Sequence, residues 1–194
     1  MLIGFKRIHL LQEPNRHSLI MQENSLGVLT SGYEPDCEYV KREVSLLVQS
    51  HKLKFAETIP LASLAIKLAM KMSACMYDDG EDTIARPLAV NTLISQNING
   101  DIPKILLVEC SGSVRDCKFV TVGKIPASLI DDIKTIVLSQ GINLTTKLSR
   151  IFEIMKTDLC MDESRVVSAE YLICDAAGVF TREELRISES NNQS

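Results

Sequence analysis

Apolar and polar positions in the first half of the chain predict a sheet that carries two helices on one face. The apolar run 26–30 is typical of a short strand, and residues 31–33 end it with a serine and a glycine. Apolar residues at helical spacing then predict a helix over 36–50, with Asp36 as its N-cap. A second helix is expected from Pro60, because proline suits the first helical turn. Its buried face is predicted to be Leu61, Leu64, Ala65, Leu68 and Met72.

The rest of the pattern predicts further strands and another helix pair. Strands are expected over 2–11 and 18–22 before the first helix, and over 88–96, 104–110 and 117–122 after the second. Helices over 126–139 and 144–155, a strand over 166–174 and a short last helix at Thr181–Glu184, which has a capping-box pattern, complete the order. This order predicts an α+β fold, a four-layer αββα sandwich of two antiparallel sheets between helical layers. We expect a single domain over 1–187 and a disordered polar tail over 188–194.

Composition narrows the classes of partner. The chain has 194 residues and a net charge of −4, which argues against nucleic acid as the main partner, because phosphate binding needs a concentrated basic surface. No 18-residue apolar run is present, so we expect no membrane partner. The six cysteines show no close Cys-x-x-Cys spacing and are interpreted as free thiols in a reducing compartment, although Cys110 and Cys117 flank a predicted turn.

Candidate catalytic and metal-binding patterns are weak. The three histidines, His9, His17 and His51, lie near no Gly-x-Ser-x-Gly motif and form no ligand cluster. The acidic run 77–82 lacks the spaced oxygen ligands of a calcium loop and is interpreted as a solvated surface loop. We therefore expect no catalytic residue, no cofactor and no metal in this sequence.

Several short motifs, taken together, resemble the α-type subunits of the proteasome core particle. The run 180–185, Phe-Thr-Arg-Glu-Glu-Leu, and the acidic loop before Arg86 resemble their zeta (fifth) class in particular. The resemblance implies the N-terminal nucleophile hydrolase fold. It also implies that the sequence is N-terminally shortened, since the first strand and first helix of the family lie before its first residue. The family-motif positions with a structural role are Ser31, Gly32, Arg86, Pro87, Ser111, Gly112 and Gly123.

The resemblance implies a function as well. It predicts a non-catalytic structural subunit of the α ring, which contributes to ring assembly and to the substrate-entry gate in ubiquitin-dependent protein degradation, in the cytoplasm and the nucleus. The implied partners are other α subunits in the ring, β subunits below it, and regulatory-particle ATPases or activators. The chain departs from the family pattern where Leu88 and Ala89 replace Phe-Gly, where Glu109-Cys110 replaces Asp-Pro, and where Ser18 stands in place of the lysine that receives activator tails.

Two other functions remain open at the level of sequence. One is a threonine-type peptidase, a β-type subunit whose nucleophile lies upstream of a misassigned start. Self-processing needs a glycine followed by Thr, Ser or Cys, and of the nine glycines only Gly112, followed by Ser113, qualifies. Residues 14–25 also contain no lysine that would tune a nucleophile. The other is a stand-alone interaction module, which predicts a mostly polar surface, whereas a ring subunit should expose apolar contact patches.

Overall fold

Strands and helices alternate in groups along the chain. The computed structural model describes residues 2–8, 19–22, 26–77, 86–96, 104–123, 127–139, 141–159, 166–174 and 180–187. The helices of these residues are α1 (Glu34–Phe55), α2 (Leu61–Tyr77), α3 (Ala127–Leu138) and α4 (Leu144–Leu159). The strands are β1 (Leu2–Ile8), β2 (Leu19–Gln22), β3 (Leu26–Gly32), β4 (Val90–Gln96), β5 (Lys104–Val108), β6 (Val114–Cys117), β7 (Val166–Cys174) and β8 (Phe180–Ile187).

The strands pair into two antiparallel sheets. One sheet has the order β2-β3-β4-β5-β6, and the other has the order β1-β7-β8. Contacts of β1 with β3 and of β2 with β7 place the two sheets next to each other. Antiparallel sheets together with helix pairs confirm the α+β class. The four-layer arrangement, the missing first elements and the single domain over 1–187 stay predictions.

The main core lies between the five-stranded sheet and the helices α1 and α2. Because side chains alternate across a strand, Val28 and Ile94 face the helices, whereas Leu29, Leu93 and Leu107 form a separate cluster on the other face. The predicted buried face of α2 is confirmed, since all five of its members are buried in the core.

Helix α1 differs from its predicted bounds at both ends. It begins at Glu34, with Tyr33 as N-cap and a proline in the first turn, so the prediction of Asp36 as N-cap was wrong. Asp36 lies inside the first turn, because Pro35 has a fixed φ that suits helix entry. The helix continues to Phe55, five residues beyond its predicted end. Ala56 then ends it in the left-handed conformation, with its N–H bonded to Lys52 O.

Two predicted elements near the later turns were wrong. The strand expected over 117–122 lies at Val114–Cys117 instead, because a short turn pairs Val114 directly with Val108. The short helix expected at Thr181 is the strand β8, which pairs with β7 from Phe180 to Ile187. Pairing with β7 gives the backbone groups of this segment hydrogen-bond partners along its length. This tertiary pairing outweighs the local preference for a helix that the capping-box pattern indicates.

The second helix pair packs together around a small cluster of its own. Ile133 of α3 and Ile151 and Met155 of α4 are buried, and Phe119 packs against them. Among the described residues, no helix is both long enough and apolar enough to span a membrane. The tail 188–194, which was predicted to be disordered, lies outside the described residues.

The core position of α2 predicts that substitutions on its two opposite faces have different effects on stability. Leu68 is 1% exposed, whereas Ile66 is 55% exposed. We expect Leu68→Ala to lower the free energy of unfolding by about 2–5 kcal/mol, because it removes buried methyl groups and leaves a cavity. Ile66→Ala is the matched control and should change it by less than about 0.5 kcal/mol. Urea titration followed by circular dichroism measures both, and equal losses would contradict this packing of α2.

Candidate functional site

A buried carboxylate joins helix α1 to the segment that precedes β4. Asp36 lies on the same stripe of α1 as Val40 and Val44, one and two turns later, and its side chain is only 3% exposed. The guanidinium of Arg86 donates two hydrogen bonds to it, from Nη1 at 2.9 Å and from Nη2 at 2.6 Å. The backbone N–H of Ala89 donates a third at 2.8 Å. Since a buried charge is costly unless it is paired, these three donors explain how Asp36 is tolerated there.

The Asp36 carboxyl group is stabilised in its ionised form. The hydrogen bonds from Arg86 hold the pKa of Asp36 below its ordinary value of 3.8, against the opposing effect of desolvation, and the Ala89 N–H lowers it further. Arg86 itself is about half exposed, and its Nη1 also donates to the carbonyl of Pro87 at 3.0 Å. Its guanidinium carbon lies 5.9 Å from the centroid of the Tyr33 ring, a distance at which a cation is attracted to an aromatic face.

The end of β3 approaches the same segment so closely that only glycine fits. The N–H of Tyr33 donates to the carbonyl of Ala89 at 2.8 Å. Gly32 has a φ of +150°, and a Cβ atom at this position would lie 2.0 Å from that same carbonyl oxygen. A side chain at position 32 would therefore separate β3 from residue 89 and break the bond made by Tyr33.

A second glycine, Gly123, packs on Ser31, the residue before Gly32. Gly123 has a φ of +104°, and a Cβ there would lie 3.1 Å from the Ser31 Oγ. Gly123 thus packs on Ser31, the neighbouring Gly32 packs on Ala89, and Ala89 and Arg86 both donate to Asp36. We call these residues, with Tyr33 and Asp36, the Arg86 junction. Five of the seven motif positions named from the sequence, Ser31, Gly32, Arg86, Pro87 and Gly123, lie in or beside this junction.

The other two motif positions, Ser111 and Gly112, lie in the turn between β5 and β6. The N–H of Glu109 donates to Ser113 O, and the N–H of Gly112 donates to Glu109 O, both at 2.9 Å. Gly112 has a φ of +81°, and a Cβ there would lie 2.9 Å from the carbonyl oxygen of Ala69 in α2. Glycine at this position therefore lets the turn pack directly against the helix.

Nucleophilic and metal-binding groups do not converge in the described part of the chain. No group of three or more His, Cys, Asp or Glu side chains there is placed to hold a metal ion. Burial raises the pKa of the Cys37 and Cys75 thiols, so both stay protonated near neutral pH. Cys110 lies in the turn and Cys117 is paired with Ile105 in the sheet, so these two cysteines do not face each other across the hairpin.

The remaining sequence candidates divide between described and undescribed residues. His51 lies in α1, where its ring packs against Phe55 with centroids 4.6 Å apart. His9, His17, Ser18 and the acidic residues 78–82 lie outside the described residues.

Sequence reasoning missed the role of Asp36, which it assigned to a cap. A signal was present, because Asp36 continues the four-residue spacing of Val40 and Val44 and so belongs to the buried stripe of α1. A carboxylate on a buried stripe requires a cationic partner. The identity of that partner, Arg86, is set by tertiary structure fifty residues later.

Comparison with known protein families gives a match over the segment that contains these motif positions. The family model described as Proteasome subunit matches residues 5–130, about two thirds of the chain. The chain belongs to the proteasome subunit family. The match contains both the Arg86 junction and the β5–β6 turn. A search of curated proteins found no match. Proteasome subunits assemble with one another, so membership assigns the chain a role in a proteasome complex.

The close approach at Gly32 predicts a large effect of a small substitution. We expect Gly32→Ala to lower the free energy of unfolding by about 2–6 kcal/mol, because the added methyl group overlaps a backbone carbonyl and the φ is strained. Gly141→Ala is the matched control, since Gly141 has a φ of +80° and nothing within 4 Å of the added Cβ. It should cost about 1–2 kcal/mol from backbone strain alone. Similar losses in urea titrations of the two variants would contradict the contact at Gly32.

The Asp36–Arg86 pair predicts a pH dependence of stability. Because the folded pKa of Asp36 is lowered, its contribution is present above pH 3.8 and is lost as the pH falls below that value. We expect Asp36→Asn to cost about 1.5–3 kcal/mol near pH 7. The difference in free energy of unfolding between the wild type and Asp36→Asn should become smaller as the pH falls from 5 towards 2.

An exposed ion pair provides the control for this experiment. Glu109 and Arg115 form a salt bridge at the edge of the β5–β6 hairpin, where both side chains are substantially exposed. Glu109→Gln should change the free energy of unfolding by less than about 1 kcal/mol at pH 7. Urea titrations at several pH values measure all three proteins. If the difference in free energy of unfolding between the wild type and Asp36→Asn stays constant with pH, the ionised pair does not stabilise the fold.

Proposed function

We propose that the chain is a non-catalytic structural subunit of the α ring of the proteasome core particle. In this role it contributes to ring assembly and to the substrate-entry gate in ubiquitin-dependent protein degradation. Its partners would be other α subunits in the ring, β subunits below, and regulatory-particle ATPases or activators, in the cytoplasm and the nucleus. Membership of the proteasome subunit family supports the complex, and the resemblance of the Arg86 junction to α-type motifs supports the α ring.

The observation that carries the non-catalytic part of the proposal is the position of Gly112-Ser113. It is the only glycine in the sequence followed by Ser, Thr or Cys, as self-processing to an N-terminal nucleophile would require. Both residues lie in the β5–β6 turn, where Ser113 O accepts a hydrogen bond from Glu109 and Gly112 packs on Ala69. Cleavage between them would divide two paired strands and detach the turn from α2.

Exposed apolar side chains support a subunit over a stand-alone module. Ile66 and Met70 are more than half exposed on α2, and Val114 is partly exposed beside them. With Gly112 and Ala69 they line an open groove between α2 and the β5–β6 turn. A surface of this kind is typical of a protein that is covered by neighbours.

Labelling of the native complex tests the proposal directly. An epitope-tagged copy of the chain is purified from its own cells under non-denaturing conditions. The complex is then treated with a peptide vinyl sulfone, which reacts covalently with N-terminal threonine nucleophiles. We expect other proteasome subunits to copurify and to carry the label, while peptide mapping finds none on this chain.

Two results would overturn the proposal, and they have different meanings. A label on the first residue of a processed form of this chain would show a β-type peptidase. Purification of the chain without other proteasome subunits would show a stand-alone module. Labelled catalytic subunits in the same sample serve as the internal control for probe activity.

A further inference from the structure

An exposed tyrosine and an exposed arginine lie next to each other at the surface of the Arg86 junction. Tyr33 is 58% exposed, and the side chain of Arg86 is about half exposed. The guanidinium carbon of Arg86 lies 5.9 Å from the centroid of the Tyr33 ring. Gly32 and Pro87, which adjoin them in sequence, are exposed as well. The Tyr33 side chain is therefore accessible to solvent and has a cation beside it.

The Arg86 guanidinium has donors left for an anion. An arginine side chain has five N–H groups. The two at Nη1 donate to Asp36 and to the carbonyl of Pro87, and one at Nη2 donates to Asp36. The Nε–H and the second N–H of Nη2 have no acceptor among the described residues. These two groups share one edge of the guanidinium, and such an edge binds two oxygens of a phosphate or carboxylate at once.

Asp36 does not compete for this edge. Its carboxylate is 3% exposed and lies on the buried side of Arg86. The pKa of Arg86 is raised above its ordinary value, chiefly by the hydrogen bonds to Asp36 and to a smaller extent by the charge that the Tyr33 oxygen carries when ionised. The phenolic oxygen thus lies within electrostatic range of the guanidinium.

We propose that Tyr33 is a phosphorylation site whose phosphate is held by the Nε–Nη2 edge of Arg86. A protein tyrosine kinase supplies the group from ATP. The Tyr33 oxygen forms a bond to the γ-phosphorus, the bond from that phosphorus to the leaving ADP breaks, and the phenol proton passes to the catalytic base of the kinase. This inference does not depend on the proposed function, since it uses only the contacts of the Arg86 junction.

The modification would strengthen the Arg86 junction. A phosphate carries about −1.5 to −2 charges at neutral pH and orders a segment when it lies opposite an arginine. Arg86 then has an anion on each of its two edges, Asp36 on the buried side and the phosphate on the exposed side. The side chain of Tyr33 is fixed at the start of α1, and the surface there becomes anionic.

Phosphorus NMR of the full chain tests the contact with Arg86. Phosphotyrosine is incorporated genetically at position 33 in one protein and in place of Ile66 in another. Ile66 is a matched control, since it is 55% exposed and the groove that it lines has no charged residue. We expect the second pKa of the phosphate to be lower at position 33 than at position 66 by about 0.5–1, because a nearby cation favours the dianion. In 8 M urea the two values should coincide.

Arginine variants separate the paired hydrogen bonds from charge alone. Arg86→Lys, made in the protein with phosphotyrosine at position 33, keeps a cation for Asp36 but has no Nε–Nη2 edge. We expect it to reverse about half or more of the decrease in the second pKa. Arg115→Lys changes an exposed arginine of the β5–β6 hairpin and should reverse none of it. Equal second pKa values at positions 33 and 66 in the folded proteins, or equal effects of the two arginine variants, would overturn the contact.

Peptide mapping of the native chain tests the modification itself. An epitope-tagged copy is purified from its own cells with tyrosine phosphatases inhibited. We expect phosphate on Tyr33 and none on Tyr39, which packs against the core of the same helix pair. The purified chain treated with ATP and a tyrosine kinase domain should gain phosphate at Tyr33 at least about tenfold faster than at Tyr39. Absence of phosphate from Tyr33 in the native chain would overturn the proposal, whether or not other proteasome subunits copurify.

Discussion

The structure depends on the way in which a buried carboxylate joins two distant parts of the chain. Asp36 lies on the buried stripe of α1, where an unpaired charge would be destabilising. Arg86 and the Ala89 N–H satisfy it from the segment that leads into β4. The Gly32 backbone then lies directly against Ala89. Helix position, strand pairing and the entry to β4 are therefore fixed by one set of contacts, and the motif residues are needed for geometric reasons.

Much of this arrangement could be predicted from the sequence, and the errors have identifiable causes. Periodicity was sufficient for the buried face of α2, because five apolar residues at helical spacing leave little choice of face. The capping-box pattern was misleading at Thr181, where the segment pairs with β7 instead. The strand predicted over 117–122 was misplaced because a short turn sets the register of β6. The Asp36–Arg86 pair could not be predicted as a pair, since partners fifty residues apart are joined only by the tertiary fold.

Scaffold and contact surface are separate in this chain. The Arg86 junction and the β5–β6 turn use hydrogen bonds and close glycine contacts to hold neighbouring elements together. Ile66 and Met70 of α2, in contrast, are more than half exposed. Membership of the proteasome subunit family accounts for both properties, because a subunit must hold its own fold and also present surfaces to its neighbours.

Amide hydrogen exchange at Tyr33 and Ala89 tests the central claim most directly, since the Tyr33 N–H bonds to the Ala89 carbonyl and the Ala89 N–H bonds to the Asp36 carboxylate. If the junction connects α1, β3 and β4 as described, both amides exchange as slowly as those in the middle of β4. In Arg86→Ala both should then exchange much faster, while amides of α3 are unchanged. Fast exchange at both positions in the wild type would contradict the account.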